Sequence, residues 1–250
     1  MNAGAQGIAS EDPPVRLDPR IDARALREVF RRVGRLHLPG LFPAEVASRI
    51  HRALVAETPW TLHFNAGESR HLDLPVADYE AFDETTRRTF HAPLYAHART
   101  GFQYLFENFA VSDLHPTGQH AQSYLMRVYE FLRSPAFLQF ARTMTGFDAI
   151  VNVDMQATRY RAGHFLTAHD DGVEGKGRLA AYVLNFTPGW RADDGGILQF
   201  IDRDGHVAEG LVPAFNALNV FRVPALHSVS TVAPFVTASR LSLTGWLRSC

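Results

Sequence analysis

Apolar residues recur at helical spacing in the first half of the chain. After Asp22 they form a stripe that predicts a helix with Asp22 as its N-cap. The extended segment RLHLPG leads to Pro43, where a second helix is predicted to begin. The first stripe consists of Ala25, Leu26, Val29, Phe30 and Val33, and the second of Val46, Ile50 and Leu54.

The pattern continues to residue 146. Residues 60–75 favour an extended or loop structure, and residues 78–100 contain a further predicted helix. Residues 119–133 carry one apolar helical face, and Ser134-Pro135 is typical of the start of another helix, which Gly146 closes. The face over 119–133 consists of Ala121, Tyr124, Leu125, Val128, Phe131 and Leu132.

The period changes after Gly146, where apolar and polar residues begin to alternate. Alternation of this kind is typical of half-buried strands. Turn sequences separate these short runs, which favours an antiparallel sandwich or barrel. The runs are VNVDMQA, FLTAHD, LAAYVLNF, ILQFID, ALNVFRV, HSVSTVA and RLSLTGWL.

The expected fold class is therefore α+β with a mainly β core. Residues 1–17 are small, polar and proline-containing, which predicts a flexible leader that the chemistry does not need. Residues 18–250 are expected to form a single domain, because no linker interrupts them. Within it, 18–147 would be a mainly helical support region and 148–250 the catalytic core.

The charge and the cysteine content of the chain argue against several classes of function. The 25 Lys and Arg nearly balance the 26 Asp and Glu, so no basic surface for nucleic acid is expected. The single cysteine, Cys250, allows neither an intramolecular disulfide nor a thiolate-rich metal site. No secretory signal and no apolar run of roughly 20 residues is found. We therefore expect a cytoplasmic protein without a nucleic-acid or membrane partner, and the sequence does not indicate an oligomeric state.

The candidate chemistry lies at His169-Asp170-Asp171. In a strand over 165–171, His169 and Asp171 lie on one face and Asp170 on the other. His227 begins another strand-like run further along the chain. Two imidazoles and one carboxylate leave coordination positions open, as in the facial triad of non-haem Fe(II) oxygenases. We predict that His169, Asp171 and His227 are the metal ligands and the catalytic residues.

A second His-x-Asp pair, His71 and Asp73, offers an alternative. Its possible third ligands are His115 and His120, neither of which lies in a strand pattern. The first pair has β-rich surroundings and is also followed by Arg240-Leu241-Ser242. In an extended strand Arg240 and Ser242 share a face and can bind a carboxylate together. The sequence therefore favours the pair at 169 and 171.

The stretch from Tyr160 to Leu247 resembles the catalytic core of the prolyl-hydroxylase branch of the 2-oxoglutarate oxygenases. That branch includes the hypoxia-factor and ribosomal-protein prolyl hydroxylases. The similarity covers about 90 residues and is looser in the helical part. The motifs occur in family order: RYRAG, YVLNFTPGW, DDGGILQFID, VPAFNALNVFRVPALHSVS and RLSLTGWL.

The resemblance implies a double-stranded β-helix, or jelly roll, with the helical N-terminal part packed on one sheet. It implies Fe(II), 2-oxoglutarate and O2 as cofactors and co-substrates, with ascorbate as a further candidate. Arg240 would hold the far carboxylate of 2-oxoglutarate, while Ser242 and Tyr160 would donate hydrogen bonds to it. The activity would be hydroxylation of an unactivated C–H bond, in a prolyl residue of a protein or peptide, with release of succinate and CO2.

The chain departs from the family pattern in two places. Arg240 lies 13 residues after His227, so we expect a longer or bulged loop between them. A tyrosine that contacts the co-substrate in some relatives is replaced near Tyr182-Val183, and the sequence does not tell which of the two lines the pocket. We expect Trp190 and Trp246 to be packing residues, and Gly195-Gly196 to form a tight turn or bulge.

Two other functions remain open. The same chemistry could act on a free amino acid or another small molecule. A cupin-like metal-binding protein or isomerase would use no 2-oxoglutarate. A cupin would normally have a second histidine where Asp171 stands, and it would give Arg240 and Ser242 no purpose.

Overall fold

The computed structural model describes residues 12–66 and 71–250. Within them lie seven α-helices: α1 Ala23–Val33, α2 Ala44–Ala56, α3 Val76–Glu80, α4 Glu84–Ala98, α5 Val111–Leu114, α6 Tyr124–Leu132 and α7 Pro135–Thr145. The same residues contain thirteen strands: β1 Arg35–Pro39, β2 Thr61–Asn65, β3 His71–Pro75, β4 Tyr104–Phe109, β5 Asn152–Val153, β6 Gln156–Tyr160, β7 Phe165–His169, β8 Arg178–Asn185, β9 Leu198–Ile201, β10 Val207–Leu211, β11 Ala217–Arg222, β12 His227–Val229 and β13 Arg240–Arg248.

Capping residues set the helix ends where the sequence predicts them. The Asp22 carboxylate accepts hydrogen bonds from the backbone N–H groups of Arg24 and Ala25, and α1 ends at Gly34, whose φ is +77°. Ser134 caps α7 in the same way, and Gly146 closes that helix. The helix predicted over 119–133 begins later than expected, because Ser123 caps α6 by accepting from the N–H of Met126.

All thirteen strands join in one antiparallel sheet. The main path runs β1-β11-β8-β13-β6-β4-β7-β12-β9-β10, while the hairpin β2–β3 pairs with β4 and β5 pairs with β13. Helices α1, α2, α6 and α7 cover one side of the sheet segment formed by β6, β8, β11 and β13. The predicted α+β class with a mainly β core and helices on one sheet is confirmed.

Alternation along β13 assigns its side chains to two environments. Leu241, Leu243 and Leu247 pack in the core beneath the helices. Arg240 and Thr244 point to the opposite side, where they line an inner cavity. The helical layer therefore supports the strand that carries Arg240.

The support region is less purely helical than predicted. It contributes β1–β4 to the sheet, and β4 lies between β6 and β7. All six residues of β4 are buried. A strand covered on both faces has no alternating pattern to reveal it, which is why this strand was not predicted from the sequence.

The predicted leader has to be shortened. Residues 1–11 lie outside the described residues. Residues 12–17 contact the domain: Asp12 pairs with Arg49, and the Tyr124 hydroxyl donates to the carbonyl of Pro13 at 2.7 Å. Val15 and Leu17 pack against the main core. The segment 12–17 is thus anchored rather than flexible.

Among the described residues, no helix is both long enough and apolar enough to cross a membrane.

Candidate metal and co-substrate site

Three side chains that are far apart in sequence meet inside the sheet. Nε2 of His169 lies 3.4 Å from Oδ1 of Asp171, and Nε2 of His227 lies 3.5 Å from Oδ2 of the same carboxylate. One ligand atom from each residue lies within 4.8 Å of the other two. Within residues 12–66 and 71–250, no other group of three His, Cys, Asp or Glu side chains is this close.

Strand pairing brings the two histidines together. His169 is the last residue of β7 and His227 the first residue of β12, and the two are direct partners in the antiparallel ladder. Their ring centroids lie 4.2 Å apart. The short strand β12 therefore places His227 directly beside His169.

Asp171 joins the site through a turn and not through the strand pleat. The strand predicted over 165–171 is two residues too long, because β7 ends at His169. Asp171 has a φ of +61°, a left-handed conformation that aspartate tolerates better than most residues. The carboxylate returns to the side of His169 because the backbone turns there.

Backbone carbonyls fix the orientation of both imidazoles. Nδ1 of His227 donates to the carbonyl of Ala225 at 2.7 Å, and Nδ1 of His169 donates to that of Thr167 at 3.0 Å. With Nδ1 protonated, Nε2 of each ring carries the lone pair and faces Asp171. This outer hydrogen bonding is typical of metal-binding histidines.

The electrostatics favour the protonation states that bind a cation. Burial would raise the pKa of Asp171, but the contacts of its carboxylate with His169 and His227 outweigh burial and lower that pKa. Burial, together with His169, lowers the pKa of His227. An ionised carboxylate and neutral imidazoles are the forms that ligate a metal.

An inner cavity of about 90 Å³ lies behind the three side chains. Arg240 lines it and is 2% exposed. Its Nε has no hydrogen-bond partner within the described part of the chain, and burial lowers the pKa of its guanidinium. A buried cation without an anion is costly, so Arg240 makes this cavity favourable for a negatively charged group.

The other two residues predicted to bind the co-substrate differ in position. Tyr160 lines the inner cavity, and its ring stacks on Phe106 at a centroid distance of 5.1 Å. Ser242 is fully buried but is not part of the cavity wall. Its hydroxyl lies 2.8 Å from that of Thr158, which does line the cavity. Both Tyr182 and Val183 line it as well.

A larger outer cavity of about 480 Å³ adjoins the inner one. His169 and Asp171 belong to the walls of both cavities. A cation held by these residues would therefore face the inner cavity on one side and the outer cavity on the other. The remaining residues common to both walls are Phe106, Gln156, Leu166 and Trp246.

Some lining residues were not predicted from the sequence. Trp246, which we expected to be a packing residue, lines both cavities, and its indole N–H has no partner among the described residues. Thr158 and Gln156 share the inward face of β6 with Tyr160. The alternation of β6 and β13 is the signal that could have identified all three, since each lies an even number of residues from Tyr160 or Arg240.

The second His-x-Asp pair is not part of the three-residue cluster. His71 and Asp73 are on β3, and each is engaged with another side chain: His71 with Tyr104 and Asp73 with His63. His115 lies beside Tyr129 and His120 beside Phe109. The structure does not bring His115 or His120 into a common site with the pair.

A family model covers the strands that carry the site. Residues 155–248 match the model of the 2OG-Fe(II) oxygenase superfamily. This part of the chain is therefore similar to members of that superfamily. The match includes His169, Asp171, His227 and Arg240, and the superfamily implies Fe(II), 2-oxoglutarate and O2.

Curated relatives that match this part of the chain are named as prolyl hydroxylases. The chain is 35% identical over 117 residues to prolyl 3-hydroxylase OGFOD1 of Mus musculus, which is 44% of this chain and 21% of that protein. It is 29% identical over 137 residues to prolyl 3,4-dihydroxylase OGFOD1 of Ostreococcus tauri, covering 50% and 26%. The chain thus spans only about a fifth to a quarter of these relatives.

Solved structures confirm the predicted double-stranded β-helix fold. A prolyl-4-hydroxylase of Pseudomonas putida superposes with a TM-score of 0.56 at 21% identity, covering 91% of this chain and 98% of that one. A prolyl hydroxylase of Trichoplax adhaerens, solved with a hypoxia-inducible-factor peptide, gives 0.59 at 12% identity, covering 91% and 89%. At these identities the similarity concerns the fold.

Proposed function

We propose that this chain is an Fe(II)- and 2-oxoglutarate-dependent dioxygenase that hydroxylates a prolyl residue of a protein or peptide. The observation that carries the proposal is the position of Arg240, which is buried in a cavity behind the His-Asp-His triad and whose Nε has no hydrogen-bond partner within the described residues. The residues fit the metal and the co-substrate together.

His169, Asp171 and His227 would hold Fe(II), and Arg240 would bind a carboxylate of 2-oxoglutarate. When bound, these groups supply the activation of O2 that oxidises a C–H bond and releases succinate and CO2. The task of the chain is to orient its imidazoles, keep Asp171 ionised and exclude water from the inner cavity.

Arg240 has the chemistry that the co-substrate requires. Its planar guanidinium can form paired, charge-assisted hydrogen bonds with a carboxylate. Thr158 and Tyr160 add hydroxyl groups to the same wall. Ser242 would act through Thr158, whose hydroxyl it contacts.

The names of the relatives support a prolyl substrate. The outer cavity has a volume of about 480 Å³ and is lined by several aromatic rings, which include Phe102, Tyr104, Phe106 and Trp246. An apolar ring such as that of proline would find matching surface there.

One observation favours a small-molecule substrate with a carboxylate instead. The guanidinium of Arg178 lies 3.5 Å from the centroid of the Trp246 ring, at the wall of the outer cavity. Its only hydrogen bond within the described residues goes to the carbonyl of Asp171. A free amino acid could place its carboxylate on Arg178.

A succinate-release assay separates these functions. The protein is incubated with Fe(II) and 2-oxoglutarate, with and without ascorbate, against a pool of capped proline-containing peptides and a pool of free amino acids. We expect the peptides to stimulate succinate release. Stimulation by amino acids alone would favour the small-molecule function, and no 2-oxoglutarate turnover under any condition would contradict the dioxygenase.

A further inference from the structure

One residue of the second His-x-Asp pair, His71, lies on the wall of the outer cavity. His63 on β2 and His71 on β3 both line this cavity, together with His169 and Asp171. Asp73 is the direct ladder partner of His63. The proposed metal site does not use His63, His71 or Asp73, so the arrangement of these three residues calls for a separate explanation.

Each of the two imidazoles is held at Nδ1 by a different side chain. Nδ1 of His63 donates to Oδ1 of Asp73 at 2.6 Å. Nδ1 of His71 is hydrogen-bonded to the hydroxyl of Tyr104. The two rings are nearly parallel, at an interplanar angle of 12° and a centroid distance of 6.1 Å.

Strand register makes this surface continuous with the wall near the metal site. His63 is paired with Phe106 of β4, and Tyr104 of β4 is paired with Leu166 of β7. Phe106 and Leu166 line both the inner and the outer cavity. The hairpin β2–β3 therefore extends the cavity wall outward from the triad.

The contacts leave one nitrogen of each imidazole for a ligand. Within the described residues, Nε2 of His63 and Nε2 of His71 take part in no hydrogen bond. A neutral imidazole held at one nitrogen offers a single acceptor or donor of fixed direction at the other. Two such nitrogens on one cavity wall suit a substrate with several polar groups, such as a peptide backbone.

Stability alone gives little reason for the His63–Asp73 pair. The side chain of Asp73 is 62% exposed, and ion pairs at exposed positions contribute little to stability. Holding one ring in one orientation is of value when the free nitrogen must meet a partner.

We infer that His63 and His71 bind the polar backbone of the substrate, and that Asp73 and Tyr104 are the residues that orient them. This inference rests on the proposed function, because it assigns the substrate-binding groups of the same site. The hairpin would fix the position of the peptide along the outer cavity, while the triad acts on the target C–H bond.

The test compares His63→Phe, His71→Phe and Asp73→Ala with the parent protein. His37→Phe is the matched control, since His37 is also held at Nδ1 by a side chain, Asn219, but lies on β1 outside the outer cavity. The probe is the capped proline-containing peptide that stimulates the parent most. The readouts are the KM for the peptide, the KM for 2-oxoglutarate and the peptide-free turnover. Calorimetry gives the peptide Kd on anaerobic Mn(II)- and 2-oxoglutarate-loaded protein.

We expect each cavity variant to raise the peptide KM and Kd by roughly fivefold, the effect of one lost hydrogen bond. The KM for 2-oxoglutarate and the peptide-free turnover should match the parent, and His37→Phe should match it in every respect. Cavity variants with an unchanged peptide KM and Kd would overturn this inference alone. A loss of 2-oxoglutarate turnover together with peptide binding would also overturn it, since that result indicates a structural role. A parent without any 2-oxoglutarate turnover contradicts the proposed function and this inference together.

Discussion

The guanidinium carbon of Arg240 lies 5.0 Å from the centroid of the Tyr160 ring. The two residues are direct partners in the ladder between β13 and β6. The ring gives the cation a polarisable face, but burial still lowers the pKa of Arg240 and raises that of Tyr160. The pair therefore presents a positive charge and a neutral hydroxyl to the inner cavity.

Gly196 leaves the space that Arg240 needs. A Cβ at this position would lie 3.0 Å from Cδ of Arg240 and 3.2 Å from Cγ2 of Val232, and φ is +61°. We expect Gly196→Ala to displace Arg240 and raise the KM for 2-oxoglutarate at least severalfold. Gly205→Ala is the control, because its φ is +85° but a Cβ would meet nothing within 4 Å. Both variants carry the backbone penalty of roughly 1–2 kcal/mol, so equal KM values would contradict the packing argument.

Loss of a triad residue should abolish metal binding. We expect His169→Ala and Asp171→Ala to lose both Fe(II) binding and 2-oxoglutarate turnover, because two remaining ligands cannot hold the ion tightly. Mn(II) or Fe(II) titration measures the binding directly. His71→Ala and Asp73→Ala should bind the metal as the parent does. Iron loss in the 71 and 73 variants, with iron retained in the 169 and 171 variants, would place the site elsewhere.

Residues 1–11 and residues 12–17 should contribute differently to stability. Deletion of residues 1–11 is expected to leave the Tm unchanged, since their sequence has little apolar content. Deletion of residues 1–17 removes the contacts of Asp12, Pro13, Val15 and Leu17 and should lower the Tm by several degrees. Peptide-free 2-oxoglutarate turnover should survive both deletions. Its loss in the shorter deletion would mean that the leader takes part in the chemistry.

His164 should make stability fall in acid. It is 4% exposed, and burial together with Arg161 lowers its pKa to about 3. Below a pH of about 6.5 the unfolded chain binds a proton at His164 that the folded chain does not bind. Stability should therefore decrease between pH 6.5 and 4.5, by up to about 2 kcal/mol from this residue. Urea unfolding of the parent and His164→Asn across this range checks it, and parallel pH profiles would refute the assignment.

Local signals allowed much of the fold to be predicted. Asp22, Ser134 and Gly146 act on the backbone beside them, so the ends of α1 and α7 follow from short sequence patterns. Strand β4 could not be predicted in this way, because both of its faces are covered and its position depends on strands more than 40 residues away.

The site shows the same limit. The residue types of the triad and their order can be predicted from the sequence, but the route by which Asp171 reaches His169 cannot, since it depends on a left-handed residue after the strand. Likewise the position of Ser242 behind Thr158 follows from strand register. The second His-x-Asp pair is excluded from the triad by its own contacts, those of Asp73 with His63 and of His71 with Tyr104. These contacts depend on the β2–β3 hairpin and on β4, so they could not be predicted from the sequence.

The 2-oxoglutarate dependence of Arg240 variants tests the central claim most directly. Removing one partner of a buried charge pair costs on the order of 2–5 kcal/mol. We therefore expect Arg240→Ala to raise the KM for 2-oxoglutarate by roughly 30-fold or more, with Fe(II) affinity in its absence unchanged. Arg240→Lys should recover part of the loss, because lysine keeps the charge without the planar fork. An Arg240→Ala protein with the parent's KM for 2-oxoglutarate would contradict the assignment of the inner cavity to this co-substrate.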